Sequence, residues 1–176
     1  FRVTTNDVLA DCLLTPWLRE LTQRFPVVQG ETMITDRRLD ISRGEADIAL
    51  RANTSKGPAL GDGVTVRRLA TGKWGVYASK KYAAEQGSPS NAQELAKHPI
   101  IAGAGELARF DPAFLQEAKA AGAVIRQASS SILNIAGAIR SGLGVGGIPC
   151  MLGELDPELQ LCFLFDEADY DLTLIT

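Results

Sequence analysis

The chain has 176 residues, 45% of them apolar and 22% charged, with 18 Lys and Arg against 21 Asp and Glu. That balance is the one expected of a folded chain, either one ordinary domain or two small lobes sharing a linker. A net charge of −3, with basic residues only in short pairs such as Arg37-Arg38, Arg67-Arg68 and Lys80-Lys81, argues against nucleic-acid binding by this segment alone. No apolar run approaches the roughly 18 residues that a membrane-spanning helix requires.

Residues 1–5, "FRVTT", are rich in β-branched types and predict a strand. Asn6 and Asp7 are suited to cap a helix. Leu14, Trp17, Leu18, Leu21 and Phe25 then recur every three or four residues, the spacing of a helical face. Pro16 fits the first turn of that helix, and Pro26 ends it. "VVQGETMI" predicts a second strand, and "TDRRLDISRGEAD" a short amphipathic helix closed by Gly44. "DIALR", 47–51, predicts a third strand, so the order β-α-β-α-β implies a parallel sheet covered by helices.

"NTSKGPALGDG", 53–63, has loop composition. The extended stretch "VTVRRLATGKWGVYAS" is too long for one strand and breaks at Thr71-Gly72, as expected where a chain passes from one lobe to another. A second α/β series follows: helices in "KKYAAEQG" and, capped by Asn91, "AQELAKH"; a strand in "PIIAGAG"; a helix in "DPAFLQEAKAAG"; and a strand in "AVIRQAS". Ser130 or Ser131 caps the helix "ILNIAGAIRSG", after which "VGGIP" predicts a strand, "CMLGEL" a short helix, and "LQLCFLF" and "YDLTLIT" two strands. The β/α logic repeats without sequence repetition, which implies two lobes.

Cys12, Cys150 and Cys162 stand in apolar surroundings with no C-x-x-C, the pattern of buried thiols. The single histidine, His98, precedes Pro99 and has no ligand type at a metal spacing, so no metal site is expected. Gly142, Gly144 and Gly147 reproduce the G-x-G-x-x-G spacing of dinucleotide-binding turns. Here, however, the glycines follow a helix and precede a strand, the reverse of the order that aims a helix N-terminus at a pyrophosphate. Gly142 is therefore read as the end of a helix and the later glycines as places of close strand packing, with no cofactor expected.

Four stretches, "FRVTTNDVLADCLLTPWLRELTQRFP", "DRRLDISRGEADIALR", "WGVYASKKY" and "AIRSGLGVGGIP", resemble in order and spacing the effector-binding domain of LysR-type transcriptional regulators. The resemblance implies an α/β fold of two Rossmann-like lobes joined by two crossing strands, similar to type 2 periplasmic binding proteins. On that pattern lobe one is 1–73 plus 162–176 and lobe two 74–161, with crossings in "LATGKWGVY" and near "LQLCF". It also implies that a winged helix-turn-helix DNA-binding domain precedes this region in a longer protein and that the family's closing helix is missing after "TLIT". The expected role is therefore non-enzymatic: a cytoplasmic, small-molecule-sensing module that forms a homodimer or tetramer. Such a module reaches DNA only through the missing domain, touches RNA polymerase in some settings, and has no membrane partner. A free-standing solute-binding protein of the same fold is the alternative, and a nucleotide-dependent oxidoreductase ranks below both.

Effectors in this family bind in the inter-lobe cleft, at strand ends where helices start. The residues point to similar places: Thr4, Thr5 and Asn6 after the first strand, Thr35 after the second, and Arg51 closing the third. In the second lobe Gly103 belongs to a glycine-rich turn and Ser130 and Ser131 open a helix. Hydroxyls, helix starts and a guanidinium suit a small anionic or polar metabolite. Each residue has a plainer reading: Thr5, Asn6, Ser130 and Ser131 as caps, and Arg51 as a partner of Glu45 or of solvent. Peroxide-sensing members carry two reactive cysteines in a stretch that here reads "GAGELARFDPAFLQ", so a thiol switch by that route is not expected.

Overall fold

The computed structural model describes residues 1–35, 37, 39–53, 63–110, 112–165 and 169–176. They divide into two compact units, Phe1–Gly72 with Asp169–Thr176, and Lys73–Ala168.

The first unit is built on a five-stranded sheet. β1 (Arg2–Thr5) lies between β2 (Glu31–Ile34) and β3 (Ile48–Asn53), parallel to both. β10 (Tyr170–Ile175) runs antiparallel to β3 and to β4 (Val66–Gly72), giving the order β2-β1-β3-β10-β4. The parallel half is the one the β-α-β-α-β pattern predicts. The antiparallel half is supplied by strands distant in sequence. Val3, Leu9, Leu50 and Leu172 form part of its buried core.

Asn6 caps the first helix as expected, its Oδ1 accepting from Leu9 N at 2.9 Å. The helix is longer than the apolar spacing predicts. α1 (Asp7–Leu9) passes into a five-residue π-helical segment, Ala10–Leu14, and then into α2 (Thr15–Arg24). Thr15 N bonds to Ala10 O, five residues back, immediately before Pro16. A proline inside an α-helix clashes with the carbonyl four residues earlier. The widened turn resets the ladder so that Pro16 enters α2 in its first turn, where its missing N–H is harmless.

The helix predicted over "TDRRLDISRGEAD" is not formed by the residues described there. Only Ile41–Gly44 make a hydrogen-bonded turn. Glu45 N bonds to Asp40 O at 3.1 Å and Gly44 N to Ile41 O at 3.0 Å, with Gly44 at φ 71°. That is a helix-ending motif on a single turn. The polar side chains explain the shortness: Asp40 Oδ1 accepts from Ser42 Oγ and Arg43 N, and Glu45 accepts from Asp40 N. They bond locally instead of sustaining a ladder. Most of the predicted loop 53–63 lies outside the described residues.

The second unit has the same plan. β6 (Ile100–Gly103) lies parallel between β7 (Ile125–Ser129) and β8 (Val145–Pro149). β5 (Trp74–Ser79) runs antiparallel to β8 and β9 (Leu159–Leu164), in the order β7-β6-β8-β5-β9. The helices are α3 (Lys80–Gln86), α4 (Ala92–Leu95), α5 (Ala113–Ala120), α6 (Ile132–Arg140) and α7 (Cys150–Leu155). Val76, Ala78, Leu95, Ile100, Ala118 and Val145 form the centre of one core cluster. β9 pairs with β5 on both sides of a register shift at Cys162, so the expected boundary at residue 162 falls inside a strand of the second unit. Pairing moves 162–165 out of lobe one, because a strand belongs to the sheet whose ladder it completes.

Candidate functional site

The five residues singled out in the first half of the chain come together at the carboxyl ends of β1, β2 and β3. Thr4 and Thr5 are fully buried. Arg51 lies two residues beyond the last β1–β3 pair, Thr4 with Ala49. Its Nη2 donates to Thr4 Oγ1 at 2.7 Å and to Arg37 O at 3.3 Å, and its Nη1 to Thr35 O at 3.1 Å. Thr35 is held further by its own N–H, which donates to Thr5 O at 2.9 Å, while Thr35 Oγ1 accepts from Arg37 N at 3.1 Å. Thr5 Oγ1 is buried and has no hydrogen-bond partner among the described residues. Asn6 keeps its capping role beside these groups.

Gly103, Ser130 and Ser131 assemble separately in the second unit, where Gly103 pairs with Ser129 across β6 and β7. Ala104 N donates to Ser129 O at 2.8 Å. Gly105, at φ 58°, places its Cα so that an added methyl would stand 3.9 Å from the Ser130 Cβ. Of the two serines offered as caps, Ser131 is the one: its Oγ accepts from Asn134 N at 3.3 Å, and Ser129 Oγ accepts from Ser131 N at 3.2 Å. Ser130 is left exposed at the start of α6.

A depression of about 480 Å³ beside the first group is lined by Met33, Ile34, Thr35, Arg37, Leu39 and Glu45, with Arg37 Nη2 and Glu45 Oε2 4.0 Å apart. The sequence places Arg37 in a basic pair on a solvated face. Its part in this site comes through its backbone carbonyl, an atom that carries no sequence signal.

The remaining candidates have structural roles. Gly142, at φ 80°, ends α6, with Leu143 N bonded to Ala138 O and Gly142 N to Ile139 O. Gly146 brings β8 so close to β6 that an added Cβ would lie 2.6 Å from Ile101 O. Gly142 thus serves a helix end, and Gly146, between the motif's later glycines, a close strand contact. His98 Nδ1 lies 2.9 Å from Tyr82 Oη, and burial lowers the imidazole pKa. Burial raises all three thiols, Cys162 to about 11. Among the described residues no group of three or more His, Cys, Asp or Glu side chains could hold a metal ion, and no helix is long and apolar enough to cross a membrane.

The LysR substrate binding domain pattern matches residues 1–175. The HTH-type transcriptional regulator CrgA of Neisseria meningitidis serogroup C is 31% identical over 89 residues, 51% of this chain and 28% of that protein. An HTH-type transcriptional regulator of Xanthomonas campestris pv. campestris is 31% identical over 102 residues, 57% of this chain and 28% of that protein. The matched stretch is thus little more than a quarter of each relative's length. In three dimensions the CrgA regulatory domain superposes with a TM-score of 0.79 at 20% identity, covering 99% of this chain and 87% of that one. The effector domain of AmpR from Pseudomonas aeruginosa gives 0.72 at 23% identity, with 99% and 83% covered. With one family's pattern spanning all but the last residue, this chain belongs to the LysR substrate-binding domain family.

Proposed function

We propose that this chain is the effector-sensing part of a cytoplasmic transcription regulator, and that it acts by binding a small anionic or polar metabolite, not by catalysis. The family match over 1–175 carries this reading. The polar groups gathered at the strand ends support it. In the first unit the metabolite is met at Thr5, Asn6 and Thr35, with Thr4 and Arg51 behind them. Thr5 Oγ1, buried without a partner among the described residues, is a hydroxyl that a ligand oxygen would satisfy. In the second unit Gly103, Ser130 and Ser131 offer a backbone turn, an exposed hydroxyl and a helix start. Binding biases the arrangement of subunits in a homodimer or tetramer. DNA contact, and any contact with RNA polymerase, belongs to the longer regulator.

A thermal-shift screen of small carboxylates, amino acids and aromatic acids tests the proposal. A ligand present at about 100 times its Kd adds about 2.7 kcal/mol of apparent stability. Thr5→Ala and Ser130→Ala are expected to abolish the shift while leaving the unliganded melting temperature within a few degrees. A hit that survives both substitutions places the site elsewhere, and a screen with no hit counts against effector binding by this chain.

A further inference from the structure

Arg51 is held from both sides of its own strand and reaches across two others. Its carbonyl accepts from Thr173 Oγ1 at 3.3 Å, on β10. Its guanidinium crosses the end of β1, bonding the buried Thr4 hydroxyl there, and continues to the backbone carbonyls of Thr35 and Arg37 beyond β2. The partners stand 47, 16 and 14 residues away in sequence, so one side chain ties three segments together. Both terminal nitrogens are engaged. A carboxylate seeking the two parallel N–H bonds of a bidentate contact must first displace a buried hydroxyl or a backbone carbonyl.

We infer that Arg51 is the positioning residue of the effector site proposed above, an assignment that rests on that reading: it fixes the backbone carbonyls of Thr35 and Arg37 over the end of β1, and the effector meets the groups so placed instead of the guanidinium. Thr35 is where the arrangement converges. Its carbonyl is held by Arg51, its amide by Thr5 O, and its hydroxyl accepts from Arg37 N. Arg37 in turn stands on the rim of the depression with Glu45. The fork geometry of arginine is what the role demands. A lysine ammonium, a compact charge on a flexible stem, cannot span the same three acceptors at once.

The test is amide hydrogen exchange on the chain itself, with Arg51→Lys, Arg51→Gln and Thr4→Val, the last removing one acceptor should loss of the guanidinium prevent folding. The expected result is exchange at Thr35 and Arg37 about tenfold faster in both Arg51 variants, an intermediate effect in Thr4→Val, and no change in β10 or the second unit. Lysine behaving as the wild type, or exchange over 31–45 unchanged in all three variants, overturns the assignment. So does faster exchange spread equally through β3 and β10, which marks a general packing role. A second arm measures thermal shifts with benzoate and L-malate. A shift lost in both Arg51→Lys and Arg51→Gln agrees with positioning, whereas a shift kept by lysine and lost by glutamine identifies a direct charge contact and overturns it. If neither compound shifts the wild type, that result counts against the effector reading, and the exchange arm decides the role of Arg51 by itself.

Discussion

Gly137→Ala and Gly146→Ala make the same chemical change a few residues apart and are expected to move stability in opposite directions. Gly137 lies inside α6 with open space where a Cβ would stand. A helical glycine replaced by alanine without a clash gains about 0.5–1 kcal/mol from the lost freedom of the unfolded chain and better helix propensity. Gly146 pairs with Ile101 on one side and Tyr77 on the other. Its added methyl would lie 2.6 Å from Ile101 O and 3.1 Å from Ile139 Cδ1. Ile139 can rotate, but the carbonyl belongs to the β6 backbone, so β6 and β8 must part by several tenths of an ångström. Such overpacking costs about 1–3 kcal/mol, and the backbone contact puts this case toward the upper end. The two variants should therefore differ by about 2–4 kcal/mol. Urea unfolding followed by fluorescence measures this in a Trp17→Phe background, where Trp74, on β5, reports the second unit alone. If Gly146→Ala stays within about 0.5 kcal/mol of its parent, or Gly137→Ala is the more damaging, the assignment of these glycines to backbone packing fails.

Acidification is expected to weaken the second unit through His98. Burial lowers its pKa below the 6.5 of a free imidazole, so the unfolded chain binds the proton first. The stabilisation is complete above the unfolded pKa and is lost as pH falls through the folded one. Melting temperatures between pH 8 and pH 5 should fall less in His98→Asn than in the wild type; parallel profiles would refute the linkage. The thiols should be slow toward iodoacetamide. With Cys162 pushed up to about 11, about three in ten thousand of its thiols are ionised at pH 7.5. Cys150 and Cys162 should be modified only after unfolding, and rapid labelling of the folded chain at either would contradict their burial.

Much of the proposed site was legible because strand ends announce themselves. "VTTN" couples β-branched residues to a capping asparagine, "GEADIALR" ends a buried run on a cation, and "ASSS" offers capping hydroxyls. The first and last patterns reflect a hydrogen bond made within a few residues, Leu9 N to Asn6 and Asn134 N to Ser131. What could not be read was the partner of Arg51. Glu45 or solvent is the natural guess for a lone arginine, yet two of its acceptors are main-chain carbonyls of Thr35 and Arg37, which any residue would provide.

The same division holds for the fold. The sequence by itself determined the caps, the helix end at Gly142 and the order of most strands and helices, because these depend on local backbone conformation and on the period of apolar residues. Only the tertiary structure decided that Ile41–Gly44 makes a single turn, that Pro16 is accommodated by a π-helical segment, and that β9 belongs with β5. The first two turn on how local polar side chains and a proline compete with the helical ladder, a balance that the period of apolar residues does not register. The last turns on which long-range ladder satisfies each N–H and carbonyl, and a hydrogen-bond partner nearly a hundred residues away leaves no mark on the residues next to it.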